Sequence, residues 1–203
     1  SAPPSARTPR GEHALSVKGP RFRPSHNEAP GGVASTCDGI VLSQNADSST
    51  IQPLNTAHCI IENVCTLANG YARSFVAPAT ARVDCVTFAV EFNTGAAWPV
   101  GVRVYAGDVH GPFSELALVG TGAIDIPATS GSALYTVSLD APGPVIPAGT
   151  AFVVEVYSPT RDPALGGDGA FLFFGSNSAG QSGPSYLRAD ECGVPNFVDV
   201  ATL

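Results

Sequence analysis

Four histidines (13, 26, 58 and 110) and five cysteines (37, 59, 65, 85 and 192) are the side chains best suited to nucleophilic, acid–base or metal chemistry. A tetrahedral zinc site built from them would need close pairs such as Cys-x-x-Cys, and the chain has none. His-Glu-x-x-His, Gly-x-Ser-x-Gly and Walker spacings are also missing from the sequence. Gly175-Ser176-Asn177-Ser178-Ala179-Gly180 has the composition of a nucleophile elbow with the wrong serine spacing, and reads as a turn. Asp84 and Glu91 read as solvated outer-face carboxylates rather than an acid/base pair. The Asp162–Asp168 stretch, DPALGGD, has oxygens suited to calcium but reads as an ordinary Asp/Gly turn. The expectation is a protein that is not an enzyme and holds no metal or cofactor.

The cysteines point instead to disulfides in an exported protein, extracellular or at a cell surface. Cys59 and Cys65 bracket a short loop, and closing so small a ring is worth about 2–2.5 kcal/mol in the chain-entropy model. That pair is expected to bond. Five is an odd number, so a thiol is left free or bonded to another chain.

Charge is divided unevenly. Residues 1–30 hold 5 basic and 2 acidic groups, a formal +3, whereas 31–203 hold 5 arginines against 15 acids, a formal −10. A basic, Pro-rich arm on an acidic body has an electrostatic reason to lie on a body, its own or a neighbour's. The acidity of the body would repel phosphates, which argues against nucleic acid. No 18-residue apolar run suggests a membrane span.

The elements that must position these residues are strands. Residues 1–32 form an extended arm in which His13-Ala14-Leu15-Ser16-Val17-Lys18 alternates apolar and polar side chains, the pattern of a strand in need of a sheet edge. Residues 33–203 read as one β-sandwich domain. A first strand is expected at 37–43, followed by a polar excursion at 48–70. From Tyr71 onward short alternating segments follow one another. Val86, Phe88, Val90 and Phe92 share one face, as do Val100, Val102 and Val104, then Tyr135, Val137 and Leu139, then Phe152, Val154 and Val156. Asn93-Thr94-Gly95, Ser130-Gly131 and Pro147-Ala148-Gly149 punctuate them. The fold class is therefore all-β, an antiparallel β-sandwich of jelly-roll type with an extended N-terminal arm. Trp98, before Pro99 at a strand entrance, suits either plugging the sandwich end or stacking on a sugar.

The run YTVSLDAPGPVIPAGTAFVVEVYSP (135–159), followed by GPSYLRADECGV (183–194), resembles β-sandwich modules of bacterial secreted proteins that are similar to galactose-binding-like jelly rolls. The resemblance implies a carbohydrate- or surface-binding module. Such modules continue with a further strand after the Cys-Gly segment, whereas this chain ends at Leu203. A sandwich short of its last strand would expose an open edge that invites pairing. The combined expectation is an extracellular structural subunit that forms a homo-oligomeric, head-to-tail filament. In it the arm is donated as a strand to the next copy, with Leu15 and Val17 as plugs and Arg21 and Arg23 as its charged flank. The alternative is a secreted carbohydrate- or surface-binding β-sandwich module.

Overall fold

The computed structural model describes residues 13–16 as a backbone strand, and residues 37, 39, 41–53, 55–177 and 179–203. In chain order the strands are β1 (His13–Ser16), β2 (His58–Ile61), β3 (Cys65–Thr66), β4 (Asn69–Val76), β5 (Ala81–Arg82), β6 (Cys85–Asn93) and β7 (Trp98–Ala106). They continue with β8 (Ala117–Ile126), β9 (Ala133–Ser138), β10 (Val145–Ile146), β11 (Ala151–Ser158), β12 (Leu172–Phe174), β13 (Tyr186–Ala189) and β14 (Val194–Asp199). The only helices among the described residues are single 3-10 turns, so the chain is all-β as its alternating patterns predict.

A six-stranded antiparallel sheet, ordered β14-β13-β4-β11-β7-β8, faces a three-stranded sheet, β12-β6-β9. Two small sheets, β10-β5 and β1-β2-β3, flank them. Strand β11, AFVVEVYS, lies in the middle of the large sheet because its side chains are suited to burial on both faces. Its Phe152 and Val154 meet Val102, Val104 and Val137 in one core cluster, and Val156 joins Val90, Val100, Ile126 and Leu172 in the next. Each fully buried valine of β7 contributes about 1.5–3 kcal/mol.

The outer face of the large sheet is covered in part. The β7–β8 connection folds back so that Val109, Phe113 and Leu116 pack with Tyr105, Val153, Tyr186 and Phe197. Beyond that cover, Pro99, Thr121 and Ala123 lie open to solvent.

Three expectations need correction. Residues 37–43 form no strand among those described. Ile40-Val41-Leu42 is a contiguous apolar run rather than an alternating one, and Val41 and Leu42 lie exposed. Phe92 does not share the face of Val90. Phe173 pairs with Phe92 while Phe174 pairs with Val90, so Glu91 is an extra residue that turns Phe92 over to meet Ile60 and Phe173. Finally, the segment after Cys192-Gly193 is itself a strand, β14, paired with β13 along the edge of the large sheet. The strand expected to be missing is therefore supplied by the chain's own residues, and β14 becomes the border strand of the sheet. The arm–body boundary expected at 32/33 falls outside the described residues.

Candidate functional site

The alternating stretch in the arm does find an edge. β1 runs antiparallel to β2, with His13, Ala14, Leu15 and Ser16 opposite Ile61, Ile60, Cys59 and His58. The far side of β2 explains why the near side is available. Cys59 donates its N–H to Asn69 Oδ1 at 2.7 Å, and its carbonyl accepts from Leu67 N–H at 3.0 Å and Asn69 Nδ2 at 3.1 Å. The Ile61 carbonyl likewise accepts from Val64 N–H. Backbone groups alternate along a strand, so those of His58 and Ile60 point the other way, toward β1. Buried groups of this kind cost free energy unless paired.

His58 and Ile60 turn their side chains toward the small-sheet side. The His58 ring is 1% exposed and lies edge-on to Phe173, with 4.0 Å between centroids. Its Nδ1 donates to the Thr56 carbonyl at 2.9 Å, which leaves Nε2 without a hydrogen bond. Burial lowers its pKa to about 4, outweighing the Thr56 bond that favours the charged form.

Cys59 points the opposite way, into a cluster with Cys65, Leu67, Leu187 and Ala189, and Cys192 packs against it. The bonded pair is Cys59–Cys192, with Cα atoms 5.9 Å apart, and not Cys59–Cys65 as the short spacing predicts. In the hairpin Cys65 faces Ile61 directly, one diagonal step from Cys59, while the 3-10 turn Asp190–Cys192 brings Cys192 into bonding range. Cys65 is a free, fully buried thiol. Burial, reinforced by the nearby charges of Asp162 and Glu191, pushes its pKa up to about 11. A second disulfide, Cys37–Cys85, ties the root of the arm to the head of β6.

Of the expected assembly residues, Leu15 lies in β1 opposite Cys59. Val17, Arg21 and Arg23 lie outside the described residues. No motif pointed to Asn69, the side chain that closes the far edge of β2.

A second cluster escaped the reading of motifs. Glu155 is fully buried on the outer face of the large sheet, where it accepts from Arg188 Nη2 at 3.1 Å, Arg103 Nη1 at 3.3 Å and Tyr105 OH at 3.0 Å. Burial disfavours the Arg103 charge, but Glu155 outweighs it and raises the pKa. Burial and the same carboxylate push Tyr105 up to about 12. Gly70 makes room, since a Cβ there would stand 2.0 Å from Glu155 Oε1. Arg103 lies over the Tyr157 ring at 3.9 Å and Arg188 over Phe113 at 4.0 Å. The signal in the sequence is a lone acid amid the apolar residues of β11. The cluster joins β7, β11 and β13, holds no nucleophile, and acts as a clamp.

At one end of the sandwich, buried Arg161 bonds Asp168 and Asn93 and lies over Trp98, with 4.4 Å to the ring. Trp98 packs against the core cluster and donates Nε1–H to the Pro159 carbonyl, so it plugs the sandwich end. Asp162 caps a 3-10 turn through Ala164 N–H, so the DPALGGD carboxylates serve the loop itself. Among the described residues no group of three or more His, Cys, Asp or Glu could hold a metal ion. A cleft of about 370 Å³ lies between the end of β6 and residues 128–130, lined by Glu91, Phe92, Asn93 and Thr94. No helix among the described residues is long and apolar enough to cross a membrane.

No protein-family model, curated protein or solved structure matches this chain.

Proposed function

We propose that this chain is an extracellular structural subunit whose arm strand is exchangeable: β1 pairs with β2 of its own body in the isolated chain, and with β2 of the next copy in an assembly. The carrying observation is the pairing of β1 with the open side of β2, whose other side is already occupied by β3, Leu67 and Asn69. The arm is rooted at the Cys37–Cys85 disulfide, at the opposite end of β6 from Phe92 and Ile60. Seven residue steps of β6 correspond to about 23 Å. The 20 residues between Ser16 and Cys37 can span up to about 70 Å, enough for either body. Donation from copy to copy is heterologous and forms an open filament unless the rotation closes into a ring. Main-chain hydrogen bonds would supply the affinity, and the +3 arm meeting a −10 body the encounter.

Light scattering of the full chain across a concentration series tests this reading. Wild type is expected to grow in mass with concentration, and Leu15→Asp with Val17→Asp to remain monomeric. Wild type that stays monomeric throughout, or a double variant that assembles like wild type, overturns the reading.

One observation favours a second reading. On the open part of the large sheet's outer face, Arg103 and Tyr157 stack beside Gly101, where an added Cβ would meet nothing closer than the Tyr157 carbonyl at 3.9 Å. A flat aromatic next to guanidinium donors and an open notch suits a sugar ring, as the resemblance to galactose-binding-like modules implies. Glycan binding abolished by Tyr157→Ala would favour this reading, and wild type that captures no glycan would remove it.

A further inference from the structure

We propose that Cys65 is an internal nucleophile that exchanges the Cys59–Cys192 disulfide for Cys59–Cys65 when β1 leaves β2, so that occupancy of the strand seat sets the pairing of the cysteines. This regulation rests on the exchangeable-strand reading. Three sulfurs share one apolar cluster, and one of them is a thiol. β1 runs beside them: Leu15 is registered opposite Cys59, and the strand also contacts the Asp190–Cys192 turn.

The step conserves electrons. Cys65 loses its proton to solvent, and its thiolate attacks the Cys59 sulfur. A Cys59–Cys65 bond forms, the Cys59–Cys192 bond breaks, and Cys192 leaves as a thiolate that takes up a proton. No oxidant or reductant is consumed. Attack at Cys59 is favoured because Cys192, only partly buried, is the sulfur whose departing charge water can best solvate. The product closes the hairpin on itself and releases β2 from the turn between β13 and β14.

Two features hold the exchange in check while β1 is seated. Cys65 is 0% exposed and its thiol is protonated at neutral pH. A diagonal pair across two strands stands roughly 7 Å apart at Cβ, whereas a disulfide needs about 3.5–4.5 Å. The hairpin must therefore give by a few ångströms, and the β1 ladder opposes that movement.

Alkylation at acidic quench, followed by unfolding, differential labelling and peptide mapping, reads out which cysteine is free. In the wild-type full chain at pH 8 the thiol is expected at Cys65. In full-length Ala14→Pro, which removes the N–H opposite Ile60, labelling at Cys192 is expected to rise at least about tenfold, with a linked Cys59–Cys65 peptide. Adding Cys65→Ala to that variant is expected to restore Cys59–Cys192 and abolish labelling at Cys192. A synthetic peptide of residues 10–19, added in excess, is expected to refill the seat and suppress the exchange.

An Ala14→Pro chain that binds the peptide yet keeps Cys59–Cys192 intact overturns the exchange and spares the strand reading. Exchange that persists although the peptide binds likewise overturns the proposal, whereas a peptide that does not bind the vacated seat overturns the strand reading. If Ala14→Pro fails to fold, wild type at pH 9 supplies the test. Cys192 labelling slowed by excess peptide supports the proposal, and labelling indifferent to peptide contradicts it.

Discussion

The large sheet and the β1-β2-β3 sheet are made of similar residues and held by different means. In the large sheet, β4 and β11 pair over eight residues from Ala151↔Val76 to Ser158↔Asn69, and β11 pairs with β7 without interruption from Phe152↔Ala106 to Tyr157↔Gly101. Both faces of β11 are buried, and Glu155 draws two arginines and a tyrosine onto one carboxylate. In the small sheet the strands are two to four residues long. They are fixed from outside, by the Cys59–Cys192 bond, the Asn69 side chain and the packing of Ile60 on Phe92 and Phe173. Long registered strands make the first region permanent. Short strands with borrowed supports place the second at the low-stability end, as the exchangeable-strand proposal requires.

The contrast breaks most readily at Glu155. Glu155→Ala leaves Arg103 and Arg188 facing each other without their shared counter-charge, and is expected to cost about 3–5 kcal/mol in urea unfolding. Gly70→Ala pushes the carboxylate aside and is expected to approach that loss. A change below about 1 kcal/mol in either variant would mean that the large sheet does not depend on its clamp.

Acid probes the small sheet through His58. Its folded pKa of about 4 lies below the ordinary histidine value of 6.5, so the unfolded chain takes up the proton first as pH falls. Stability is thus undiminished above about 6.5 and is lost progressively from there down to about 4, by about 2–4 kcal/mol in total. His58→Gln is expected to flatten stability over that window while leaving the carboxylate-driven loss at lower pH. Asp168, held low by Arg161 despite its partial burial, belongs to that lower range. An unchanged slope in His58→Gln would take His58 out of the account.

Asn69→Ala sharpens the comparison further. Removing the side chain that holds the far edge of β2 is expected to cost about 1–3 kcal/mol overall. Hydrogen exchange is expected to accelerate at 58–66 by more than at 100–104. Uniform acceleration across both regions would show that the two open together.

The large sheet was legible in its sequence because alternation is local: Val100, Val102 and Val104, or Phe152, Val154 and Val156, reveal their face without reference to anything distant. Leu15 was legible for the same reason, as part of an alternating stretch that needed an edge. Which edge was not. β2 becomes a strand through Asn69 and Cys192, and the Cys59–Cys192 bond spans a separation of 133 residues. Local spacing favoured Cys65, which differs from Cys192 only in tertiary placement. Phe92 was misplaced because a one-residue bulge reverses faces without a signal in composition. Glu155 stood visible in β11, but nothing in the sequence said that Arg103 and Arg188 would converge on it.

Lys18 is the chain's single lysine and follows β1 by two residues, so an amine-reactive diazirine carried there marks whichever body the arm lies on. Light and ¹⁵N-labelled chains, mixed equally and refolded together with disulfides intact, can then be photolysed under assembling conditions and mapped by mass spectrometry. Strand donation between copies predicts that about half of the crosslinked arm–body peptides join one isotope to the other. Crosslinks found only within chains of the same isotope would contradict it.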